Sequence, residues 1–282
     1  DDEAQDLIDK INSDSEIDDK VMDQVYSLGE RLSSQILSAF LDFEYFDARK
    51  VIMTNHDYSN ALPLIKEVKE KAKEHLIPIL MNQNKKVVTQ GFIGRTLDGD
   101  TTTLGREGSD FSAALFGEAI EAELVNIWTD VPGIASCDPK LVSDVKFMSN
   151  LSYDQATLLA KLGAKVLFPR TLEPAARSEM KVFVGSSIES QAKGTIISSS
   201  KSDEPAVLGL TCLESDTKEL VSFVGHRLLE IENCSPEKVL TDEKISFIIE
   251  RQDSDVFSFL IDEKDRDNAL RCLHKYLLTF KK

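Results

Sequence analysis

The chain is short of several things, and each shortage closes off a class of protein. It holds only four cysteines, Cys137, Cys212, Cys234 and Cys272, far apart and without a C-x-x-C pair. Reduced thiols in or near a core are therefore expected. His56, His75, His226 and His274 show no partner spacing for a metal site. No apolar run approaches the roughly 20 residues that span a bilayer, and no signal peptide opens the chain. A cytoplasmic protein with no membrane partner is the expectation. Basic residues are in deficit: 33 Lys and Arg against 49 Asp and Glu give a formal charge of -16. With no clustered basic stripe, this argues against nucleic acid. Glycine and proline are scarce, at 13 and 8, and 41% of the 282 residues are hydrophobic, a soluble globular composition. Neither G-x-x-x-x-G-K-[ST] nor G-x-G-x-x-G after a strand occurs.

What is present is an alternation. After an acidic opening segment with a weak helical pattern, Val21, Val25, Leu28, Leu32, Ile36 and Phe40 fit one long helix or two consecutive ones. "YFDARKVIM" reads as a turn into a strand, "LIKEVKEKAKEHLIPIL" as an amphipathic helix and "KKVVTQGFIG" as a buried strand. "ELVNIWTD" and "KVFVGSS" are further strands, and "SYDQATLLAKLG" is a helix capped by Ser152 and ended by Gly163. Strands alternating with helices predict an α/β fold, a parallel sheet covered on both faces. Ligands of such sheets sit beyond the carboxyl ends of the strands. The texture changes at "SSSKSDEP", a linker that places a boundary near residue 199. Beyond it, "AVLGLTCL", "KELVSFVG", "KISFIIERQ" and "VFSFLIDE" read as strands, and "DRDNALRCLHKYLLTF" as a terminal helix.

Two loops draw chemical interest. In "TTTLGREGSDFSAALFGEAI", residues 101–120, hydroxyls and glycines feed a helix whose apolar face starts at Phe111, with Ser109 and Asp110 at its entry. The helix N-terminus and the two-pronged donor Arg106 suit a carboxylate or phosphate. A capped helix with a surface arginine explains the stretch equally well. In "IWTDVPGIASCDPK", residues 127–140, a strand ends at Thr129 and Asp130 and a turn-rich segment leads to Lys140. It could wrap a nucleotide or be an ordinary crossover loop.

Read together with "YSLGERLSSQIL", "FDARKVIMTN", "TQGFIGRTLDGD", "LSYDQATLLAKLGAKVLFPRTLEPA" and "VFVGSSIESQAKGTII", these loops resemble the aspartokinases of the amino-acid kinase family, from about Val25 to Ile197. The resemblance implies a three-layer α/β domain with a mostly parallel sheet over residues 1–198. A small, incomplete α+β ACT-like regulatory domain follows over 199–282. It implies transfer of the γ-phosphoryl of ATP to the side-chain carboxylate of L-aspartate, the first step towards lysine, threonine and methionine. The nucleophile is already an anion, so catalysis rests on positioning and positive charge. By resemblance, Arg106 holds a substrate carboxylate, Glu30 receives the amino group, Phe92 lies in the substrate site and Asp110 orients the transfer. Thr129, Asp130, Lys140, Lys165 and Val166 fall on nucleotide positions. Mg2+ travels on the phosphates, and a lysine or threonine effector acts through a homodimer of ACT-like domains.

The sequence also departs from the family. Glu107 stands where many relatives have glycine, and Lys140 where arginine is common. The family's opening K-F-G-G-[ST] loop is not found, and the chain starts at "DDEAQ", inside the family's pattern. A non-catalytic effector-binding subunit is the rival reading. A sibling kinase for another carboxylate is the third, which "GERLS" and "FDARKV" oppose.

Overall fold

A computed structural model describes residues 5, 7, 8, 11, 17–82, 85–164, 169–189, 191, 193–200, 206–214 and 218–280. They pack as two compact units: Asp1–Val125 with Arg170–Met180, and Asn126–Pro169 with Lys181–Lys282.

The first unit opens on a single helix, α1 (Asp19–Leu41), capped by the Asp18 carboxylate, which accepts from Val21 N. Strand β1 (Glu44–Phe46), a 3-10 turn over Ala48–Lys50 and β2 (Met53–Thr54) follow. Helix α2 (Ile65–Lys71) then gives way to two π-turns, Ala72–Leu76 and Pro78–Asn82. The expected long amphipathic helix is thus regular for only two turns, because Pro78 has no N–H for the i-4 carbonyl. Strands β3 (Val87–Thr89), β4 (Ile93–Thr96) and β5 (Thr101–Thr103) lead to α3 (Gly108–Ala119). Strands β1 and β3 pair parallel; β2 and β4 pair parallel, and β5 closes that sheet antiparallel to β4. Ile52, Met53, Ile93, Leu104 and Leu115 form the core. Helix α5 (Pro169–Ser178) completes the unit from far along the chain.

Helix α1 turns a different face inward from the one its apolar period predicts. Val21 is buried, but Leu32, Ile36 and Phe40 are exposed, Phe40 at 83%. Asp23, Ser27, Ser34 and Ser38 are buried instead. Each is bonded: Ser34 Oγ accepts from Gln90 Nε2 (2.6 Å), and Ser38 Oγ donates to Phe43 O (2.8 Å).

In the second unit, β6 (Leu124–Thr129), β8 (Lys181–Ser186), β9 (Thr195–Ser198) and β7 (Asn150–Ser152) form one sheet in that order. Strands β7 and β9 are parallel and β8 and β9 antiparallel, so the α/β sheets are mixed, with parallel and antiparallel pairs side by side. Helix α4 (Tyr153–Lys161) starts on Ser152, whose hydroxyl and the Gln155 side chain form a capping box. Downstream, β10 (Ala206–Glu214), β11 (Glu219–His226), β13 (Val256–Ile261) and β12 (Phe247–Gln252) make an antiparallel sheet in that order. Helices α6 (Pro236–Asp242) and α7 (Arg266–Leu277) accompany it.

The stretch "KELVSFVG" is an inner strand, β11, paired on both sides; the edges are β10 and β12. Across residue 199 the second unit is continuous, Lys181–Lys282 packing with Asn126–Pro169. Cys137 and Val142 share a core with Val221, Phe257, Leu270 and Leu273, because Ser136 O accepts from Leu210 N (2.7 Å) and locks the segment to β10. Residues 201–205 of the expected linker lie outside the described residues.

Candidate functional site

The site is best built from β5. Its three threonines are all buried, and each hydroxyl has a partner within the unit. Thr101 Oγ1 accepts from Arg49 Nη1 (2.9 Å), Thr102 Oγ1 meets Thr54 Oγ1 (2.7 Å), and Thr103 Oγ1 donates to Asp23 Oδ1 (2.7 Å). All three hydroxyls are thus spent inside the unit. Arg49 in turn grips Asp47 through Nε and Nη2. Burial alone would raise the Asp47 carboxyl, but the Arg49 hydrogen bond and charge outweigh it and hold it below the usual range.

Past β5 the chain turns at Gly105, with φ of +78°, where a Cβ would stand 2.7 Å from Asn60 Oδ1. Helix α3 then begins at Gly108, two residues earlier than an N-cap at Ser109 and a first turn at Asp110 would place it. Its N-cap is Glu107, left-handed at φ 56° and without a side-chain cap bond. A residue with a side chain pays strain there that glycine would not, so the departure at Glu107 has a backbone meaning. Gly108 lets the helix start press on Phe92: a Cβ would lie 2.7 Å from its ring. Phe92 itself is left-handed at φ 68°, pinned as its N donates to Ser112 Oγ (2.8 Å) and its carbonyl accepts from Leu104 N (2.8 Å). A bulky residue held there marks a constrained position.

A cavity of about 440 Å³ results, lined among others by Tyr26, Ser59, Phe92, Arg106, Ser109 and Asp110. The amides of Ser109 and Asp110 belong to the first helical turn, where no intrahelical acceptor exists. Arg106 is 83% exposed, its Nε 3.9 Å from Glu107 Oε1, and so is free to turn toward a ligand. Burial first, and the Glu107 charge second, push the Asp110 carboxyl above its ordinary range.

Of the sequence-predicted substrate residues, Arg106, Asp110 and Phe92 share this cavity. Glu30 does not line it; it lies one turn beyond Tyr26 on α1. Thr129, Asp130 and Lys140 belong to the second unit, where Thr129 Oγ1 donates to Asp130 Oδ1 (3.2 Å) and Lys140 N to Asp138 Oδ1 (2.9 Å). Lys165 and Val166 lie outside the described residues.

Sequence reasoning missed Asp23, fully buried on α1. Its carboxylate accepts from Ser59 N and Thr103 N (2.9 Å each) and from the Thr103 hydroxyl, so it ties two cavity-lining residues to the helix. It also missed Arg170, whose Nη1 donates to Asn60 Oδ1 (2.9 Å) while its guanidinium stacks on Phe111 at 4.9 Å. An aspartate inside an apolar helical run was the one available signal for the first; nothing marked the second. Among the described residues no group of three or more His, Cys, Asp and Glu is placed to hold a metal ion. No described helix is long and apolar enough to cross a membrane.

The fold is α/β with mixed sheets, and a cavity opens at the start of α3. More particularly, the chain belongs to the amino acid kinase family, which matches residues 2–186. It is 42% identical over 200 residues to lysine-sensitive aspartokinase 3 of Escherichia coli strain K12, covering 69% of this chain and 44% of that protein. It is 37% identical over 204 residues to the aspartokinase of Chlamydia pneumoniae, covering 70% and 45%. The chain thus spans about half the length of the curated relatives it matches. Among solved structures, E. coli aspartokinase III in complex with aspartate and ADP (R-state) superimposes with a TM-score of 0.84 at 28% identity, covering 98% of this chain and 81% of that one. The same enzyme with lysine and aspartate (T-state) gives 0.79 at 29% identity, with the same coverage.

Proposed function

We propose that the protein is an aspartokinase, phosphorylating the side-chain carboxylate of L-aspartate with MgATP. The carrying observation is the cavity that sets Arg106 beside the free amides at the start of α3, in a chain whose relatives are aspartokinases. Two anions, a carboxylate and a triphosphate, have to meet in line, and donors and positive charge are what lower that barrier. In this reading Arg106 binds a carboxylate of aspartate, Phe92 shapes its seat, and Glu30 takes the ammonium. Asp110 orients the transfer without acting as a base. Thr129, Asp130, Lys140, Lys165 and Val166 hold the nucleotide, and Mg2+ arrives on its phosphates. The domain reading, residues 1–198 catalytic and 199–282 ACT-like, belongs to the same proposal. So do a cytoplasmic location, a homodimer through the ACT-like part, and lysine or threonine as effector. Lysine is favoured by the lysine complex of the E. coli enzyme.

The test is aspartate-dependent ADP formation by the chain, with aspartate and ADP binding measured alongside. Arg106→Ala should weaken aspartate binding by about 1.5–3 kcal/mol, the range for a hydrogen bond to a charged group. ADP binding should hardly change. Asp130→Ala should do the reverse. Unchanged aspartate affinity in the Arg106 variant removes that residue from the site.

A further inference from the structure

The second unit contains a cleft of about 530 Å³ between residues 139–144 and the outer face of α7. Three cations line it: Lys140 from the segment, and Arg271 and Lys275 from the helix, with Asp144 as the one lining carboxylate. All three are exposed, and no described carboxylate pairs with any of them. They stand together in a chain with 49 acidic and 33 basic residues. On the same helix Arg266 is paired, 2.9 Å from Asp267 and 3.6 Å from Glu219. Arg271 and Lys275 stand four residues apart, a like-charge spacing that weakens a helix slightly. Their position near the helix C-terminus recovers some of that through the dipole, but it does not account for Lys140 on the facing wall.

The walls are fastened to each other. His274, 1% exposed, sits 2.9 Å through Nε2 from Ser136 Oγ, and that hydroxyl also accepts from Lys146 N (3.0 Å). Beneath, Val142 and Cys137 pack in one core with Leu270 and Leu273. The walls that carry the charges are therefore already held in place, and a ligand has only the side chains themselves to order.

We propose that this cleft binds a small polyanion, with Lys140, Arg271 and Lys275 as its charge partners and the Ser143 hydroxyl within the lining. Three cations against one carboxylate leave a surplus of two positive charges, which a ligand with two or more negative charges matches. The arginine fork and the two ammonium groups suit phosphate oxygens. The cleft shares Lys140 with the nucleotide contacts proposed above, and it does not depend on aspartate being the phosphoryl acceptor.

Calorimetric titration of the full chain with inorganic tripolyphosphate, and separately with citrate, tests it. Tripolyphosphate should bind, and the Arg271→Ala/Lys275→Ala variant should bind about tenfold or more weakly, as two lost charge-assisted contacts imply. The charge-keeping pair Arg271→Lys/Lys275→Arg should retain most of the affinity. Both positions are exposed, so an unchanged melting temperature establishes that the fold survives. Adding ADP identifies the source of the anion: displacement points to the phosphates of a nucleotide, and simultaneous binding to a separate polyanion. Equal affinity in the alanine variant and the parent, or no binding of either probe to the parent, overturns the proposal.

Discussion

Asp110 sits with its carboxyl raised by burial and by Glu107, so the folded state holds its proton above the ordinary 3.8 at which the unfolded chain releases it. Stability from this group falls as pH climbs from 3.8 through the raised value, and the penalty then persists at neutral pH. Asp110→Asn is accordingly expected to raise the thermal midpoint near neutrality and leave it unchanged below 3.8. A gain of equal size at both ends would deny the burial cause. Glu107→Gly removes the second influence and relieves a left-handed side chain. Carbon-detected NMR titration of Asp110 should show its pKa move down in that variant. Asp23 is the opposite case, a buried carboxylate with three donors and a place in the core. Asp23→Ala strands those donors, and at about 1–3 kcal/mol for each buried group left unpaired a loss of about 3 kcal/mol is expected in urea unfolding. A loss under about 0.5 kcal/mol, the size of an ordinary surface change, would mean the bonds contribute nothing net. These residues also show where reading a chain stops. Arg106 and Asp110 announced themselves through glycines and a helix start, while Asp23 spoke only through bonds to residues 36 and 80 positions away.

At the scale of elements, α3 is held by Glu118, whose side chain is 2% exposed. Lys69 Nζ approaches it at 3.0 Å from α2, and Arg177 bonds both oxygens at 2.7 and 3.2 Å from α5. Burial would raise this carboxyl; Arg177 and then Lys69 outweigh that and hold it low. Removing Arg177 leaves a buried charge with half its support, whereas removing the charge leaves two cations that reach water. Arg177→Ala should cost about 2 kcal/mol, below the 3–5 kcal/mol of a fully buried pair because the arginine is partly exposed. Adding Glu118→Gln should restore part of it. A double variant less stable than Arg177→Ala would contradict the asymmetry. Helix α1 supplies the contrast: Ile36→Ser and Phe40→Ser should each shift stability by less than about 0.5 kcal/mol, and Leu115→Ala in the core by about 3. Its 3.6-residue period was legible from the residues, and so was the capping box at Ser152. Which stripe of α1 faces inward was not, because that depends on Gln90 and Thr103 offering bonds to its serines and Asp23. Burial pushes the Cys137 and Cys234 thiols up to about 11 and Cys212 up to about 12, so these stay protonated and unreactive near neutrality.

On the scale of the whole molecule, alternating strands and helices identified an α/β chain, and five downstream segments were each placed on the right element. The pairing of those strands, parallel beside antiparallel, and the packing of residues 126–169 with the C-terminal sheet are long-range matters that no local pattern encodes. The chain changes unit at Val125, Pro169 and Met180. A ribosome delivers residues in order, so the first unit stays open until α5 has emerged, some fifty residues after the rest of its core is available. By then Asn126–Pro169 is waiting for strands still unmade. The second unit cannot close on a nascent chain that stops early; a cut after Val125 keeps only the second unit's segments together, a cut after Met180 only the first unit's, and a cut after Pro169 splits both. A fragment ending at Val125 should therefore be markedly less cooperative in unfolding than the full chain, and a peptide spanning 169–180 added in trans should sharpen it. Folding here has an order of arrival written into it, with α5 as the late piece on which the earlier one depends.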